Sequence, residues 1–173
     1  MILLISGSTH AGKTNLAQKL LEKYGYPYLS IDHLKMGLIR SGYTDITVEE
    51  DDKLTTYMWP ILREMIKTAI ENSQNMIIEG CYLPYDWKDS FEEEYLKEIR
   101  YVCLIFSQEY IEKHFENIKA FGSVIENRGE YEDCTKEMLL KDNALCLEMC
   151  EKYECEYILI DGKYDVEGMI EKI

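Results

Sequence analysis

A glycine-rich segment near the start of the sequence has residue types and a spacing that suit phosphate binding. It fits the pattern G-x-x-x-x-G-K-S/T, and its members are Gly7, Ser8, Thr9, His10, Ala11, Gly12, Lys13 and Thr14. The two glycines allow successive backbone N–H groups to point inward at phosphate oxygens. The Lys13 ammonium can reach β- and γ-phosphates, and the Thr14 hydroxyl can ligate Mg²⁺. We therefore predict a binding site for ATP and Mg²⁺ in this segment.

Asp32 is a second residue that can take part in chemistry. It ends an apolar run and precedes a short helical pattern. Ligands of open α/β sheets bind in the crevice at the carboxyl ends of the strands, where this carboxylate would lie. It can accept the proton of a hydroxyl acceptor, or it can cap a helix that begins at His33. Both roles remain open at this point.

The elements that must position these residues alternate along the chain. We predict strands over residues 1–6, 26–31, 75–79, 99–106 and 156–160. We predict helices over residues 13–24, 33–40, 47–71, part of 84–97, 108–127, 136–153 and at the C-terminus. Pro60 lies inside the longest pattern and predicts a kink or two helices there. Strands that alternate with helices predict an α/β fold, in which two helical layers cover a five-stranded parallel sheet.

Length and charge limit the remaining possibilities. The 173 residues suit one domain, and the net charge of −14 argues against a nucleic-acid surface. Residues 1–45 nevertheless carry a net +2, with five Lys or Arg against three acids. No apolar run approaches the ~20 residues of a membrane span, and no leader pattern precedes the first strand. We expect a cytoplasmic protein, either a monomer or a homodimer.

Six cysteines occur in the chain. A domain of this length does not need disulfides to fold. Cys146, Cys150 and Cys155 lie close enough in sequence to hold a metal, but the C-x-x-C pairs of zinc sites are missing. We expect reduced and mostly buried thiols, with a metal site as the alternative.

The motif and the order of elements resemble the adenylate-kinase-like group of small P-loop kinases. That group includes nucleoside monophosphate, shikimate and gluconate kinases. The sequence is also similar to zeta-toxin and 2-phosphoglycerate kinase-like proteins. The likeness is strongest over residues 1–40, continues around 75–84, and is architectural elsewhere. It implies one P-loop kinase domain over residues 1–173, with a short helical lid at approximately 108–135.

The resemblance also implies roles for individual residues. Asp32 matches an acid that acts as base or substrate anchor, and Lys35 stands where adenylate kinases have an arginine that binds the acceptor's phosphate. Glu79 matches the acid that organises Mg²⁺ through its waters, and it is also a candidate for binding the acceptor. Arg128 matches the lid arginine that reaches the transferring phosphoryl group, and its alternative is a surface ion pair.

Two further residues are candidates for the acceptor side. Arg40 lies on the same predicted helix as Asp32 and can grip a phosphate or carboxylate, or it can be a solvated arginine. Tyr82 belongs to an aromatic cluster near Pro84 that either lines the acceptor site or packs in the core. The segment from Glu79 to Pro84 lacks the arginine of the adenylate-kinase motif Asp-Gly-Phe-Pro-Arg, and this departure weakens an AMP-acceptor assignment.

We therefore expect an ATP- and Mg²⁺-dependent phosphotransferase that acts on a small molecule. The acceptor is either a metabolite hydroxyl or a nucleoside monophosphate. One alternative is a nucleotide-binding switch or slow ATPase with a regulatory role. Another is a zeta-toxin-like kinase of nucleotide sugars.

Overall fold

Five apolar segments form a parallel sheet at the centre of the protein. The computed structural model describes residues 1–121 and 134–173. The strands are β1 (Ile2–Gly7), β2 (Tyr28–Ser30), β3 (Met76–Glu79), β4 (Ile99–Phe106) and β5 (Tyr157–Ile160). Their order is β2-β3-β1-β4-β5, and every neighbouring pair is parallel. This confirms the predicted α/β fold and its five-stranded parallel sheet.

Helices cover both faces of the sheet. They are α1 (Lys13–Tyr24), α2 (Ile31–Arg40), α3 (Asp51–Glu71), α4 (Glu93–Leu96), α5 (Gln108–Phe121), α6 (Lys136–Lys152) and α7 (Val166–Ile170), with a 3-10 helix at Trp87–Ser90. Within the described residues, no helix is long and apolar enough to cross a membrane.

The central strand β1 shows why the sheet needs cover on both faces. Ile2 and Leu4 pack in the core on the α3 side, whereas Leu3 and Ile5 pack in the core that includes α1 and α7. All six residues of β1 are buried. A continuous apolar run is typical of a parallel strand between two helical layers. The sheet thereby fixes the point at which the chain leaves β1 and enters the glycine-rich loop.

The second strand and the helix after it differ from the prediction at their boundaries. Pairing with β3 ends at Ser30 opposite Glu79, so β2 is only three residues long. The chain then turns directly into α2, which begins at Ile31 and not at His33. Asp32 therefore lies in the first turn of α2. The prediction that it caps this helix is wrong, since the N-cap position belongs to Ser30.

The longest helix also begins later than predicted. The Glu50 carboxylate accepts a hydrogen bond from the Thr47 backbone N–H at 3.0 Å, so residues 47–50 form a turn before α3 starts at Asp51. The helix then runs through Pro60 as one element of 21 residues. The two-helix form of the prediction is wrong, because this helix tolerates the loss of one backbone hydrogen bond at proline.

The predicted lid lies partly outside the described residues. Helix α5 has a non-helical residue at His114 and is described as far as Phe121. Arg128 lies outside the described residues, and the lid at 108–135 stays a prediction. The same holds for the single-domain boundaries.

Candidate active site

The glycine-rich loop joins β1 to α1, and Lys13 folds back over it. The Lys13 ammonium donates hydrogen bonds to the backbone carbonyls of Gly7 at 3.2 Å and Ser8 at 2.8 Å. The side chain is almost completely buried, with 4% of its residue surface exposed. Helix α1 begins at Lys13, so its first free N–H groups border the same loop. Cationic and N–H donors thus converge on one small region, as a phosphate site requires.

Gly12 occupies a position at this loop that an L-residue would fill with difficulty. Its φ is 85°, and a Cβ placed there would lie 1.9 Å from the hydroxyl oxygen of Tyr164. Tyr164 follows β5, and burial raises the pKa of its hydroxyl. The C-terminal part of the chain therefore packs directly on the loop at its junction with α1.

His10 connects the loop to the segment that precedes α6. It has a positive φ of 63°. Its Nδ1 lies 3.0 Å from the Thr9 hydroxyl and 3.8 Å from the Cys134 sulfur. Ala11 at the next position is fully buried, and its N–H bonds to the Ser8 carbonyl at 3.3 Å. These contacts fix the backbone of the loop from two directions.

Thr14 and Glu79 form the part of the site that suits a magnesium ion. The Thr14 hydroxyl donates to Glu79 Oε1 at 3.3 Å, and Glu79 is 2% exposed. Glu79 ends β3, which neighbours β1 in the sheet. Hydroxyl and carboxylate oxygens are the hard ligands that Mg²⁺ prefers, and this ion usually keeps several waters and takes the rest from phosphates. The two residues fit the group that the sequence predicts.

Asp32, Lys35, Tyr82 and Asp51 form a continuous chain of contacts on the other side of the site. Lys35 Nζ lies 2.6 Å from Asp32 Oδ1 and donates to the Tyr82 hydroxyl at 2.9 Å. That hydroxyl donates in turn to Asp51 Oδ1 at 2.9 Å. The network joins α2, the segment after β3 and the first turn of α3. The structure thus brings together three residues that the sequence predicts on the acceptor side.

The protonation of this network is held by its own partners. Burial works against the charge on Lys35, but its hydrogen bonds with Asp32 and Tyr82 outweigh burial and raise the pKa of the ammonium. Burial, together with the bond to Asp51, raises the pKa of Tyr82 to about 12, although Lys35 acts in the opposite direction. At neutral pH, Lys35 is therefore a cation and Tyr82 a neutral donor.

Arg40 and Arg128 are not part of this group in the described structure. Arg40 is exposed at the far end of α2. Eight residues separate it from Asp32, which is about 12 Å along a helix axis. Arg128 lies outside the described residues. The binding roles of both arginines stay predictions.

Sequence reasoning missed Asp51 and Tyr164. Asp51 looks like one of several acids in a first helical turn, which the helix dipole alone would explain. A buried tyrosine needs a partner for its hydroxyl, and Tyr82 gave that signal without naming the partner. No sequence signal places Tyr164 against Gly12, because the two residues are 152 positions apart in the numbering.

Four of the six cysteines pack together in one core, whereas Cys81 is exposed. Cys103, Cys146, Cys150 and Cys155 are buried in the core on the α3 side. Among residues 1–121 and 134–173, no group of three or more His, Cys, Asp or Glu side chains is placed to hold a metal ion. The hydrogen bond with Cys103 lowers the pKa of Cys146, and the same contact raises that of Cys103.

The aromatic cluster near Pro84 is largely core. Trp87 is 4% exposed, and its ring stacks on Tyr101 with centroids 5.9 Å apart. Phe91 meets the rings of Trp87 and Trp59 edge-on. Tyr82 is also buried in this core, but its hydroxyl belongs to the Lys35 network.

Comparison with known proteins supports the same fold. Among solved structures, a deoxyadenosine kinase from M. mycoides determined with dCMP and dCDP is 20% identical, with a TM-score of 0.61, 99% of this chain covered and 96% of the other. A shikimate kinase from Acinetobacter baumannii in complex with shikimate is 18% identical, with a TM-score of 0.57 and coverage of 99% and 89%. A gluconokinase from Sinorhizobium meliloti 1021 is 12% identical, with a TM-score of 0.50 and coverage of 98% and 87%. At these identities the likeness shows the fold.

Sequence comparison gives the family. No curated protein matches the chain significantly. The zeta toxin family matches residues 1–110, which is more than half of the 173 residues. Together with the fold, this match confirms the small P-loop kinase that the sequence predicts. The chain therefore belongs to the zeta toxin family and has the fold of the small P-loop kinases.

Proposed function

We propose that this protein transfers the γ-phosphoryl group of ATP, bound with Mg²⁺, to a small-molecule acceptor. The observation that carries the proposal is the convergence of three groups at the carboxyl ends of β1 and β3. These groups are the buried Lys13 ammonium, 2.8 Å from the Ser8 carbonyl, and the Thr14–Glu79 pair at 3.3 Å. Phosphoryl transfer needs each of these groups, whereas a loop with a purely structural role needs none of them.

The loop residues bind and orient the donor. Backbone N–H groups of residues 7–14 surround the β-phosphate, and Lys13 turns from the loop carbonyls to the β- and γ-phosphates. Mg²⁺, when bound, neutralises charge between the β- and γ-phosphates. Thr14 would hold the ion directly and Glu79 would orient its waters, and both residues are buried. Catalysis then rests on position and charge neutralisation.

The acceptor lies beside Asp32 and Lys35. The Asp32 side chain is 36% exposed, so an acceptor can reach it from solvent. Tyr82 holds Lys35 in place on this side. Both a metabolite hydroxyl and a nucleoside monophosphate are compatible with this proposal. We propose Arg128 as the lid arginine that reaches the transferring phosphoryl group.

The family match favours one second candidate. The resemblance to zeta toxins implies a kinase that phosphorylates a nucleotide sugar, and the family covers the residues that carry the loop, Asp32 and Glu79. This candidate uses the same donor site and the same base. It differs only in the acceptor, so a panel of acceptors that includes nucleotide sugars separates it from the leading proposal.

The donor site is tested by calorimetric titration with Mg·ATP. We expect Lys13→Ala to weaken the affinity at least about tenfold, since a charged contact to phosphate contributes 1.5–3 kcal/mol or so. Lys19→Ala is the matched control, because Lys19 lies on the same helix but its side chain is 44% exposed and pairs with Glu22. Both variants should keep the circular dichroism of the native chain. Undisturbed ATP binding in Lys13→Ala would mean that the loop is wrongly assigned.

A further inference from the structure

The Tyr82 hydroxyl is the junction between α2 and α3, and its single hydrogen fixes the direction of two bonds. A phenol can donate one hydrogen bond, whereas an ammonium can only donate and an ionised carboxylate can only accept. Lys35 Nζ therefore donates to the Tyr82 oxygen at 2.9 Å, and the Tyr82 hydrogen goes to Asp51 Oδ1 at 2.9 Å. Donation runs one way, from α2 through the tyrosine to α3.

The two ends of this connection differ in how firmly the core holds them. Lys35 belongs to α2, in which Ile31 is the one buried residue of the helix. Tyr82 is 7% exposed and packs in the core on the α3 side. Asp51 begins α3, and Leu54 anchors that first turn in the same core. The tyrosine and the start of α3 are therefore fixed by packing, and Lys35 takes its position from them.

The ion pair within α2 does not by itself hold the Lys35 ammonium in one place. Asp32 lies three residues before Lys35 on the same helix, and its side chain is partly exposed. Pairs of this spacing are weak, and a lysine side chain loses conformational entropy when it is fixed. The contact from outside the helix is Tyr82, whose hydroxyl accepts from Nζ and whose ring centre lies 4.8 Å from it. The orientation of Lys35 therefore depends on the orientation of Tyr82.

We propose that Asp51 is a positioning residue of the acceptor side, which orients Lys35 through the Tyr82 hydroxyl. The proposal rests on the proposed function and adds to it a residue of α3. Asp51 takes the hydrogen of the tyrosine, so the lone pairs of the Tyr82 oxygen are held towards Lys35. Without this carboxylate the hydroxyl would turn to water, and Lys35 would lose a fixed acceptor. A carboxylate that only stabilised the first turn of α3 through the helix dipole would leave Lys35 unaffected.

The test measures the reactivity of the Lys35 amine in the full chain. The probe is a trace amount of acetic anhydride, and mass spectrometry compares the acetylation of Lys35 with that of the exposed Lys163. The reagent attacks the neutral amine, and although burial opposes the charge, hydrogen bonds with Asp32 and Tyr82 raise the pKa of Lys35. We expect Asp51→Ala to speed this acetylation at least about threefold. Asp51→Asn keeps a carbonyl oxygen for the tyrosine and should restore most of the native rate. Both variants remove the charge, so their difference reports the hydrogen bond.

A double-mutant cycle shows whether Asp51 acts through the tyrosine. Tyr82→Phe removes both bonds, so Asp51→Ala added to it should change the acetylation of Lys35 by less than about 1.5-fold. Asp52→Ala is the matched control, because Asp52 is the exposed neighbour of Asp51 in the same helical turn. The proposal fails if Lys35 in the Asp51→Ala chain reacts at the native rate. It also fails if Asp51→Ala has the same effect with and without the Tyr82 hydroxyl, or if Asp52→Ala matches it.

Turnover gives a second measurement, with the fastest-reacting member of the acceptor panel as the probe. We expect Asp51→Ala to lower kcat/KM for this acceptor about three- to tenfold and to leave the KM for Mg·ATP unchanged. Asp51→Asn should remain close to the native chain. An unchanged kcat/KM, or a loss that falls equally on ATP and acceptor, overturns the inference. Failure of the proposed function is distinguishable, because Mg·ATP would then not bind at the Lys13 loop, whereas the acetylation of Lys35 is measured without ATP or acceptor.

Discussion

Gly12 meets two requirements at one backbone position. Its φ of 85° is one that L-residues rarely adopt, and the Tyr164 hydroxyl fills the space of a Cβ at 1.9 Å. The first requirement follows from the turn into α1 and can be read from the motif. The second comes from a tyrosine at the other end of the chain. One residue thus joins the geometry of the loop to the packing of the C-terminal segment.

Substitution separates these two requirements. Gly25 is the matched control, since its φ is 72° and no atom lies within 4 Å of a Cβ there. Gly25→Ala should cost about 1–2 kcal/mol in free energy of unfolding, from backbone strain alone. Gly12→Ala should cost a further 1–3 kcal/mol or so, because the tyrosine must shift. Urea unfolding measures both.

Rescue provides the second half of this test. Tyr164→Leu removes the hydroxyl and the ring that the new methyl group would meet. Placed in the Gly12→Ala chain, it should recover most of the additional loss but not the strain. Equal losses in Gly12→Ala and Gly25→Ala would contradict the close approach of Tyr164 to the loop.

Strands and helices of this protein differ in how well the sequence predicts them. Strands β1 and β4 each overlap a run of five consecutive apolar residues, at 1–5 and 102–106, so their positions follow from hydrophobicity. The start of α3 does not, because the Glu50 side chain binds the Thr47 N–H and delays the helix to Asp51. Helix α2 begins early because the pairing of β2 with β3 ends at Ser30. Such details depend on contacts between segments, which a pattern does not contain.

The residues of the candidate site also differ in how well the sequence predicts them. The loop from Gly7 to Thr14 is predicted from a local motif, since all its chemistry lies within eight residues. Glu79 is placed by the end of β3, and Asp32 is placed by the turn from β2 into α2. The link from Lys35 through Tyr82 to Asp51 joins three elements and could not be predicted, because the direction of each side chain is set by tertiary packing.

Asn143 shows how one helix is tied to the sheet. Its Oδ1 accepts a hydrogen bond from the Phe106 N–H at the end of β4 at 2.8 Å, and its amide donates to the Leu139 carbonyl at 2.7 Å. The side chain is 2% exposed. It therefore satisfies a buried backbone donor at the point where β4 leaves the sheet.

Removal of this amide should destabilise the protein. We expect Asn143→Ala to lower the free energy of unfolding by about 2–3 kcal/mol, because the Phe106 N–H is left without a partner. Asn72→Ala is the control, since Asn72 donates to the Thr68 carbonyl at 2.9 Å but is exposed. Its loss should stay below about 1 kcal/mol. Similar losses from both substitutions in urea would mean that Asn143 does not connect α6 to β4.

The whole molecule resolves a conflict that its composition raises. A net charge of −14 argues against an anionic ligand, yet the phosphate loop lies within the first 45 residues, which carry +2. In the fold, the phosphate loop and the acidic segment lie in different places. Lys13 lies at the start of α1, in the loop that follows β1, whereas the acidic residues 45–52 lead into α3. The proposed ATP donor, bound with Mg²⁺, suits the positively charged N-terminal segment.

The proposed reaction is a phosphoryl transfer in which Asp32 lies beside the acceptor. The most direct measurement follows the γ-phosphoryl of labelled Mg·ATP into phosphorylated acceptors, for the native chain and for Asp32→Ala. We predict a phosphorylated product from the native chain, a loss of at least about 100-fold in Asp32→Ala, and unchanged ATP affinity in that variant. Free phosphate as the only product, or equal turnover in Asp32→Ala, would contradict the account.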